Sequence, residues 1–494
     1  MSLKHLSSLR RSAAQRPTTR QHEMKHNENK QQSPKSTTSP RHLAKNTRRK
    51  RIWDLLRHIP AFAIRFLRLV GFVVFLLPAF VVFLWHYVTC DRVAAYYGEC
   101  QACTEEEELN NEKDQRSNGT NRGNIHNNHK DPTFSRHYLD IYGSRTPSPV
   151  DPTSKKPVVI FLTGGAWIIG YRMWGTLLGR ALAPFGILVF MPDYRNFPRV
   201  NIEGMAQDVD MSIQWVLDHC EEYGGDKDKV VLVGQSAGAH IGGVVVGMKV
   251  LDWLRRERRA MEESRGMNCK EQDDDEGSPL KSTYSPQQLC GFISTSSPHN
   301  LVTMRPIFHH HGLSASVQKS IFGGLADDEQ SNGAGEEEDV FVKWSPYHLM
   351  MKAHEEYLKL LMLDDEKSGK TLELVDVFPR FFVIHGTADK TVPVSEAVEF
   401  ITLLSKLKIP NEAKLYEGWT HTDPILEAPM RGNHLYHRDI YELVCTWTDS
   451  HFPRCANGEK IGKNTIDQFD EKHPMLQPIC PSVLVEAARF CNPF

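Results

Sequence analysis

The chain has 494 residues, of which 40% are hydrophobic and 24% are charged, and its formal net charge is −2. This length and composition exclude a wholly disordered, a collagen-like or a small disulfide-stabilised protein and leave room for a large core. The ten cysteines are mostly widely spaced and indicate no disulfide framework.

The first part of the chain is strongly basic. Residues 1–68 contain 17 Lys and Arg against 3 acidic residues, so the remainder is acidic, with 42 basic and 58 acidic residues. A basic head on an acidic body argues against a core that binds nucleic acid. We expect residues 1–57 to form a disordered tail, because their first fifty residues lack apolar periodicity. A transit peptide is the alternative, but the segment shows no amphipathic pattern.

A membrane segment is predicted over residues 58–90. Its core, 69–90, contains no Asp, Glu, Lys or Arg in 22 residues, and as a helix it would extend over about 33 Å, enough to cross a bilayer. Basic and aromatic residues stand at its two ends: Arg65, Arg68, Trp85 and Tyr87. A buried core helix is the alternative, and Pro78 leaves open a kinked span or a re-entrant hairpin.

After Asp91, short apolar runs alternate with amphipathic segments of helical length. The runs predicted as strands are VVIFL (158–162), ILVFM (187–191), VVLVG (230–234), FFVI (381–384) and AKLY (413–416). Fully apolar runs separated by helices are typical of parallel strands buried on both faces, so residues 91–453 are predicted to be an α/β domain.

Polar segments interrupt this domain and a tail follows it. Three stretches without periodicity are predicted to be solvated insertions: 101–132, 258–287 and 325–340. Residues 454–494 are predicted to form a tail with a short amphipathic helix whose apolar face comprises Val483, Leu484, Ala487 and Ala488. This helix would pack on the domain or lie on a membrane surface.

A glycine-rich turn and a serine turn each follow a predicted strand directly. Gly164, Gly165 and Ala166 follow the first strand, and Ser236 follows the third within the pattern G-Q-S-A-G. The pattern alone is a weak signal, but between a buried strand and a helix it predicts a nucleophile elbow, as in α/β-hydrolases. The backbone N–H of Ala237 and one from the glycine turn would then form an oxyanion hole.

A carboxylate and a histidine follow the last two predicted strands. Asp389 lies in the turn after FFVI, and His421 lies in the loop after AKLY. The chain order Ser, Asp, His is that of α/β-hydrolases, which predicts a catalytic triad. Asp423 and Asp376 are weaker candidates for the acid, and His385 is interpreted as structural.

Three other motifs are weaker candidates for a catalytic or metal-binding role. The segment 193–195, Asp-Tyr-Arg, is interpreted as a brace for the oxyanion loop. The consecutive histidines 309–311 point in different directions on any regular element, and the Cys100–Cys103 pair lacks the strand and helix of a redox motif. We therefore expect no metal and no cofactor.

Several longer motifs together resemble the isoprenylcysteine methylesterases, which are membrane-bound α/β-hydrolases. The motifs are TGGAWIIGYRMWG (163–175), DYRNFP (193–198), GQSAGAH (234–240), FHHHGL (308–313), HGTADKTVP (385–393) and HTDPILEAPMRG (421–432). The resemblance implies hydrolysis of a prenylcysteine methyl ester by the predicted triad. It also implies that four residues surround the ester carbonyl: Gly165, Ala166, Gln235 and Ala237.

The resemblance further implies a location in endoplasmic reticulum and Golgi membranes. The positive-inside rule puts the basic head in the cytosol and, for one span, the body in the lumen, where the sequon at Asn118 would be usable. Prenylated proteins carry their ester on the cytosolic face, so we expect a cytosol-facing site. A hairpin across 58–90, broken at Pro60 or Pro78, would reconcile the two, and so would a small membrane-permeant ester.

Two other functions stay open at this point. One is a carboxylesterase or arylformamidase of the same fold, which the threonine at position 163, in place of histidine, disfavours. The other is an inactive hydrolase-fold scaffold, which the complete set of predicted catalytic residues disfavours.

Overall fold

The computed structural model describes residues 80–98, 136–145, 154–266, 278–323, 339–363, 372–448 and 476–491, with isolated helical positions between 70 and 77. The described strands are β1 Arg92–Tyr96, β2 Tyr138–Tyr142, β3 Lys156–Leu162, β4 Leu188–Pro192, β5 Gly225–Gln235, β6 Leu289–Thr295, β7 Arg380–Gly386 and β8 Asn411–Tyr416. Together they form one eight-stranded sheet in the order β1-β2-β4-β3-β5-β6-β7-β8.

Most of the sheet is parallel. β1 and β2 pair antiparallel with each other, and β2 pairs antiparallel with β4, whereas every pair from β4 to β8 is parallel. Because β4 and β5 lie on opposite sides of β3, the strand order reverses there, and the carboxyl ends at such a reversal form a crevice. This is the arrangement of an α/β-hydrolase, so the predicted fold class of the domain is confirmed.

The five predicted strands are present, and three more were missed. β1 and β2 are antiparallel edge strands, and each includes a side chain that is not buried, so neither reads as a fully apolar run. β6, with the sequence LCGFIST, is buried but contains glycine, serine and threonine. A mostly parallel sheet is therefore confirmed, with its antiparallel part at the edge formed by β1 and β2.

Helices cover both faces of the sheet. Their bounds are α1 Thr176–Leu182, α2 Ile202–His219, α3 Ala237–Ser264, α4 Leu301–His310, α5 Ala315–Phe322, α6 Val340–Lys343, α7 Pro346–Leu363, α8 Leu374–Val377, α9 Val394–Lys406, α10 Ala428–Met430 and α11 Leu435–Trp447. A separate helix, α12 Ser482–Cys491, lies in the C-terminal segment. Alternate residues of β3 enter different cores: Val158 and Ile160 pack with α2 and α3, whereas Val159 and Phe161 pack with α1 and α11.

Residues 80–89 are helical and pack on the sheet domain through one face. Phe83 is 1% exposed and stacks on Trp174, with 6.5 Å between the ring centroids. The Tyr87 hydroxyl donates a hydrogen bond to Asp140 in β2 over 3.0 Å. Within the described ranges, no helix is both long and apolar enough to cross a membrane. Most of the predicted segment 58–90 lies outside those ranges, as does the predicted tail 1–57, and both remain predictions.

The predicted insertion 258–287 is too long at both ends. α3 extends to Ser264, and Leu280 and Tyr284 are buried against the domain. The error arose because the charged end of α3 hides its helical periodicity. Residues 101–132 and most of 325–340 lie outside the described residues.

The predicted C-terminal helix is present as α12, but its buried face differs from the predicted one. Val485 and Ala488 are buried, whereas Val483 is 71% exposed. Because Val483 lies two residues, about 200°, from Val485 around the helix, it faces the opposite side. Residues 476–479 belong to the sheet domain, since the Ile479 N–H donates to the Met430 carbonyl over 2.9 Å.

Candidate active site

Ser236 lies in a sharp turn between β5 and α3. Its φ of 52° is in the left-handed region, and its N–H donates to the Thr295 carbonyl of β6 over 2.8 Å. Glycines on either side make the turn possible. A Cβ at Gly234 would lie 2.5 Å from the backbone of Ala239, and one at Gly238 would lie 2.3 Å from the Leu162 carbonyl oxygen. The predicted elbow therefore has the expected strained geometry.

The structure brings the three predicted triad side chains into one hydrogen-bonded chain. His421 Nε2 lies 2.8 Å from Ser236 Oγ, and His421 Nδ1 lies 2.8 Å from Asp389 Oδ2. An ionised carboxylate only accepts hydrogen bonds, so Nδ1 carries the proton and donates it to Asp389. Nε2 is then free to accept the hydrogen bond of the serine hydroxyl. This is the tautomer that a general base requires.

Asp389 is held as an anion. Its Oδ1 accepts hydrogen bonds from the backbone N–H groups of Thr391 and Val392, both over 2.9 Å. Burial acts to raise the pKa of Asp389, but the opposing charge of His421 and the hydrogen bonds from His421 and His385 outweigh it. The pKa of Asp389 is therefore well below its usual value.

The neighbouring candidates have other contacts. His385 is buried, and its Nε2–H donates to the Val392 carbonyl over 2.8 Å, which steadies the turn that holds Asp389. Asp423 accepts from the Thr420 N–H over 2.7 Å and pairs with Arg431, so it shapes the loop before His421. Asp376 is exposed in α8.

The glycine turn after β3 lies against the elbow. A Cβ at Gly164 would lie 2.3 Å from Gln235 Oε1 and 2.8 Å from Ser236 Cβ. Gly165 has a φ of +142°, and a Cβ there would lie 2.2 Å from the Gly170 nitrogen, so the loop folds back tightly on itself. Gln235 is buried, and its Nε2 donates to the His421 carbonyl over 3.4 Å. Of the predicted oxyanion residues, Gly164, Gln235 and Ala237 therefore adjoin Ser236, and Gly165 and Ala166 continue the loop from Gly164.

Comparisons with known proteins identify the family of the chain. The family model described as BD-FAE matches residues 139–324. A probable isoprenylcysteine alpha-carbonyl methylesterase of Oryza sativa subsp. japonica is 36% identical over 297 residues, 60% of this chain and 57% of that protein. The isoprenylcysteine alpha-carbonyl methylesterase of Arabidopsis thaliana is 32% identical over 361 residues, 73% of this chain and 67% of that protein. The chain belongs to the isoprenylcysteine alpha-carbonyl methylesterase family.

The match covers only part of several relatives. The chain spans 57% of the length of the rice relative and 51% of a probable Arabidopsis thaliana relative that is 33% identical. Among solved structures, an esterase of Thermogutta terrifontis with bound propionate is similar to 63% of this chain. That similarity covers 89% of the esterase chain, with a TM-score of 0.40 and 20% identity.

A buried histidine that the sequence analysis missed links the oxyanion loop to the elbow helix. The Trp167 Nε1–H donates to His240 Nδ1 over 3.3 Å, and His240 Nε2–H donates to the Trp344 carbonyl over 2.8 Å. Burial lowers the pKa of His240 to about 3, against a weaker effect of the Trp344 carbonyl, so the imidazole stays neutral at physiological pH. His240 lies in α3, four residues after Ser236, and that spacing was the only available signal.

This link holds a strained segment. Ala166 and Trp167 have φ values of 50° and 64°, which non-glycine residues seldom adopt, each at a cost of about 1–2 kcal/mol. The Trp167 ring is buried among three rings, those of His240, Phe308 and Phe322. The tryptophan thereby fixes the backbone orientation of Ala166.

The segment 193–195 supports the oxyanion loop, as interpreted from the sequence, but only Asp193 and Tyr194 do so. The Tyr194 hydroxyl donates to the Thr163 carbonyl over 2.8 Å. Asp193 accepts from Arg136, whose other contact is the Gly170 carbonyl at 2.6 Å. Arg195 pairs instead with Asp208 of α2, at 2.7 Å.

One of the two weaker motifs lies beside the turn that carries Asp389, and the other lies outside the described residues. His309, His310 and His311 end α4, where His309 and His310 are exposed and His311 contacts the Lys390 carbonyl at 3.0 Å. Cys100 and Cys103 lie outside the described residues.

Proposed function

We propose that this protein hydrolyses the methyl ester of isoprenylated cysteine, giving prenylcysteine and methanol. The observation that carries the proposal is the hydrogen-bonded chain from Ser236 through His421 to Asp389, with both His421 contacts at 2.8 Å. That chain supports acyl transfer to serine in general. The names of the family members supply the prenylcysteine ester as the substrate class.

The reaction proceeds in two halves. Ser236 Oγ attacks the ester carbonyl while His421 Nε2 takes the hydroxyl proton, and Asp389 stabilises the resulting imidazolium without becoming protonated. The negative carbonyl oxygen is stabilised by the backbone N–H groups of Ala166 and Ala237, the latter at the start of α3. His421 then protonates the departing methoxide, and methanol leaves an acyl-enzyme.

Water completes the cycle. His421 takes a proton from a water molecule, whose oxygen attacks the acyl-enzyme carbonyl. The second tetrahedral intermediate collapses as His421 returns the proton to Ser236 Oγ. The products are prenylcysteine with a free carboxylate and the regenerated enzyme, so no cofactor or metal enters the reaction.

The prenyl group and the location of the enzyme belong to the same proposal. Ile168 and Ile169 of the oxyanion loop are 36% and 70% exposed, which gives that loop an apolar edge for an isoprenoid chain. The uncharged segment 69–90 supports a membrane-bound enzyme. We place it in endoplasmic reticulum and Golgi membranes with its site facing the cytosol. An endoglycosidase-sensitive glycan on Asn118 would contradict that orientation.

Methanol release from farnesylcysteine methyl ester by the full-length protein tests the proposal, with a short-chain aryl ester run in parallel. Ser236→Ala should abolish turnover, whereas Ser316→Ala, at an exposed position in α5, should leave it unchanged. A strong preference for the prenylated ester is the expected result. Equal or faster turnover of the aryl ester would instead indicate a generalist carboxylesterase. Absence of Ser236-dependent turnover of either ester would contradict the proposal.

A further inference from the structure

The helical segment 80–89 has one buried and one exposed face, and both are apolar. Phe83 and Tyr87 face the domain, as described above. Five other large apolar side chains are between 37% and 69% exposed: Val81, Val82, Leu84, Trp85 and Val88. Five exposed apolar side chains on three turns of helix form an unusually continuous apolar patch for a protein surface in water.

This outward face is connected to the oxyanion loop through one aromatic side chain. The Trp174 ring stacks on Phe83, and its Nε1–H reaches the Ile169 carbonyl at 3.5 Å. The Ile169 N–H donates to the Gly165 carbonyl over 2.9 Å, and the Ile169 side chain is 70% exposed. The exposed edge of the loop therefore adjoins the element that carries the apolar face.

The surroundings of this face favour lipid over a soluble partner. The preceding residues, 69–79, continue the apolar sequence without a charge, and Arg65 and Arg68 stand before them. At the other end, Asp91 and Arg145 form an exposed ion pair at 3.0 Å. An apolar face bounded by charged residues at both ends, with tryptophan near one boundary, is the pattern of a surface that lies at a membrane interface.

We propose that the outward face of segment 80–89, together with Ile169, rests on the lipid bilayer, so that a membrane-borne ester reaches Ser236 directly from the interface. The inference rests on the proposed function for its substrate but not for its surface. The prenyl chain would remain in contact with apolar side chains between the bilayer and the site. The cost of transferring it through water would then be avoided.

The activity test compares two double variants of the full chain. Trp85→Lys with Val88→Lys charges the proposed surface, and Leu358→Lys with Met362→Lys charges an exposed apolar pair about one helical turn apart on α7. With farnesylcysteine methyl ester in phosphatidylcholine–phosphatidylserine vesicles, we expect the first variant to lose at least about tenfold in rate and the second less than about twofold. Both should hydrolyse a soluble short-chain ester like the unmodified protein.

An unchanged vesicle rate in the first variant would overturn the proposal. An equal loss on the soluble ester would also overturn it, because the surface would then be part of the folded site. Release of a bound second copy by the lysine pair, seen as a halved mass in light scattering, would show that the face binds protein.

A second measurement is independent of activity. Quenching of tryptophan fluorescence by brominated lipid in the same vesicles should fall in Trp85→Phe, and it should persist in Trp253→Phe, a substitution on the remote helix α3. Equal quenching in Trp85→Phe and the unmodified protein would contradict docking even if neither ester were hydrolysed. Failure of this inference is therefore distinguishable from failure of the proposed function.

Discussion

Replacing Trp167 by Phe tests whether the link from the oxyanion loop to His240 supports catalysis. The substitution keeps a ring among Phe308, Phe322 and His240 but removes the Nε1–H donor. His240 Nδ1 is then buried without a partner, which costs about 1–3 kcal/mol. The hydrogen bond also helps to hold Ala166 and Trp167 at positive φ.

The expected result is a selective loss of transition-state stabilisation. Removing a whole oxyanion donor lowers kcat by about 10²–10³-fold, so a loosened Ala166 N–H should lower it by about 10- to 100-fold. We expect KM to change less than about threefold, because the ground-state carbonyl depends less on that donor. Steady-state kinetics with a prenylcysteine methyl ester and thermal unfolding of the same preparations provide both values.

The control variant is Phe322→Leu, which disturbs the packing of Trp167 but keeps its hydrogen bond. It should lower the free energy of unfolding by about 1–2 kcal/mol with kcat nearly unchanged. A His240→Phe change should add little further loss of kcat to Trp167→Phe, because both remove the same contact. Unchanged kcat in Trp167→Phe, or an equal loss in Phe322→Leu, would refute the reasoning.

Three further predictions concern the triad, a buried histidine and the elbow. Asp389→Asn should lower kcat about 10³–10⁴-fold without unfolding the protein, because the amide favours the wrong His421 tautomer. Steady-state kinetics and circular dichroism measure the two effects, and a loss of kcat below tenfold would contradict the prediction. Since the pKa of folded His240 is about 3 and below its unfolded value, its contribution to stability is complete above about pH 6.5 and is lost as pH falls. From pH 7 to 5 this lowers the free energy of unfolding by about 2 kcal/mol. Denaturant titrations at several pH values should show that the free energy of unfolding of His240→Gln depends less on pH. The same pH dependence in both proteins would exclude His240 as the cause. Gly238→Ala should prevent soluble expression, because its Cβ would lie 2.3 Å from the Leu162 carbonyl oxygen. The Cβ of Gly266→Ala would meet no atom within 4 Å, so this control should lower the free energy of unfolding by only about 1 kcal/mol, measured by thermal unfolding. Comparable yields of the two soluble variants would contradict the close approach at Gly238.

The sequence predicted the strands and site loops whose structure depends on residues that are neighbours in the sequence. The runs 158–162 of β3, 188–192 of β4 and 230–234 of β5 are buried, and their sequences are continuously apolar apart from a final proline in β4 and a final glycine in that run of β5. β1 and β2 lie at the antiparallel edge, where Asp140 can be buried because Arg92 pairs with it at 2.8 Å. A charged residue inside a strand is explained only by a partner 48 residues away, which local periodicity does not show.

The same distinction applies to the site. Ser236 and the glycines of its turn are close in sequence, and their spacing between a buried strand and a helix predicts the elbow. His240 is one of 23 histidines, and its role depends on Trp167 and Trp344, which lie 73 and 104 residues away. Tertiary contacts of this range leave no local signal, so the support that His240 gives to the oxyanion loop emerged only from the structure.

Peptide mapping after reaction with a fluorophosphonate tests the central claim most directly. The reagent phosphonylates a serine that an adjacent base activates, so the account predicts a single adduct, on Ser236. The adduct should be absent in Ser236→Ala and should form far more slowly in His421→Ala. A principal adduct on another residue, or an unchanged labelling rate in His421→Ala, would contradict the triad.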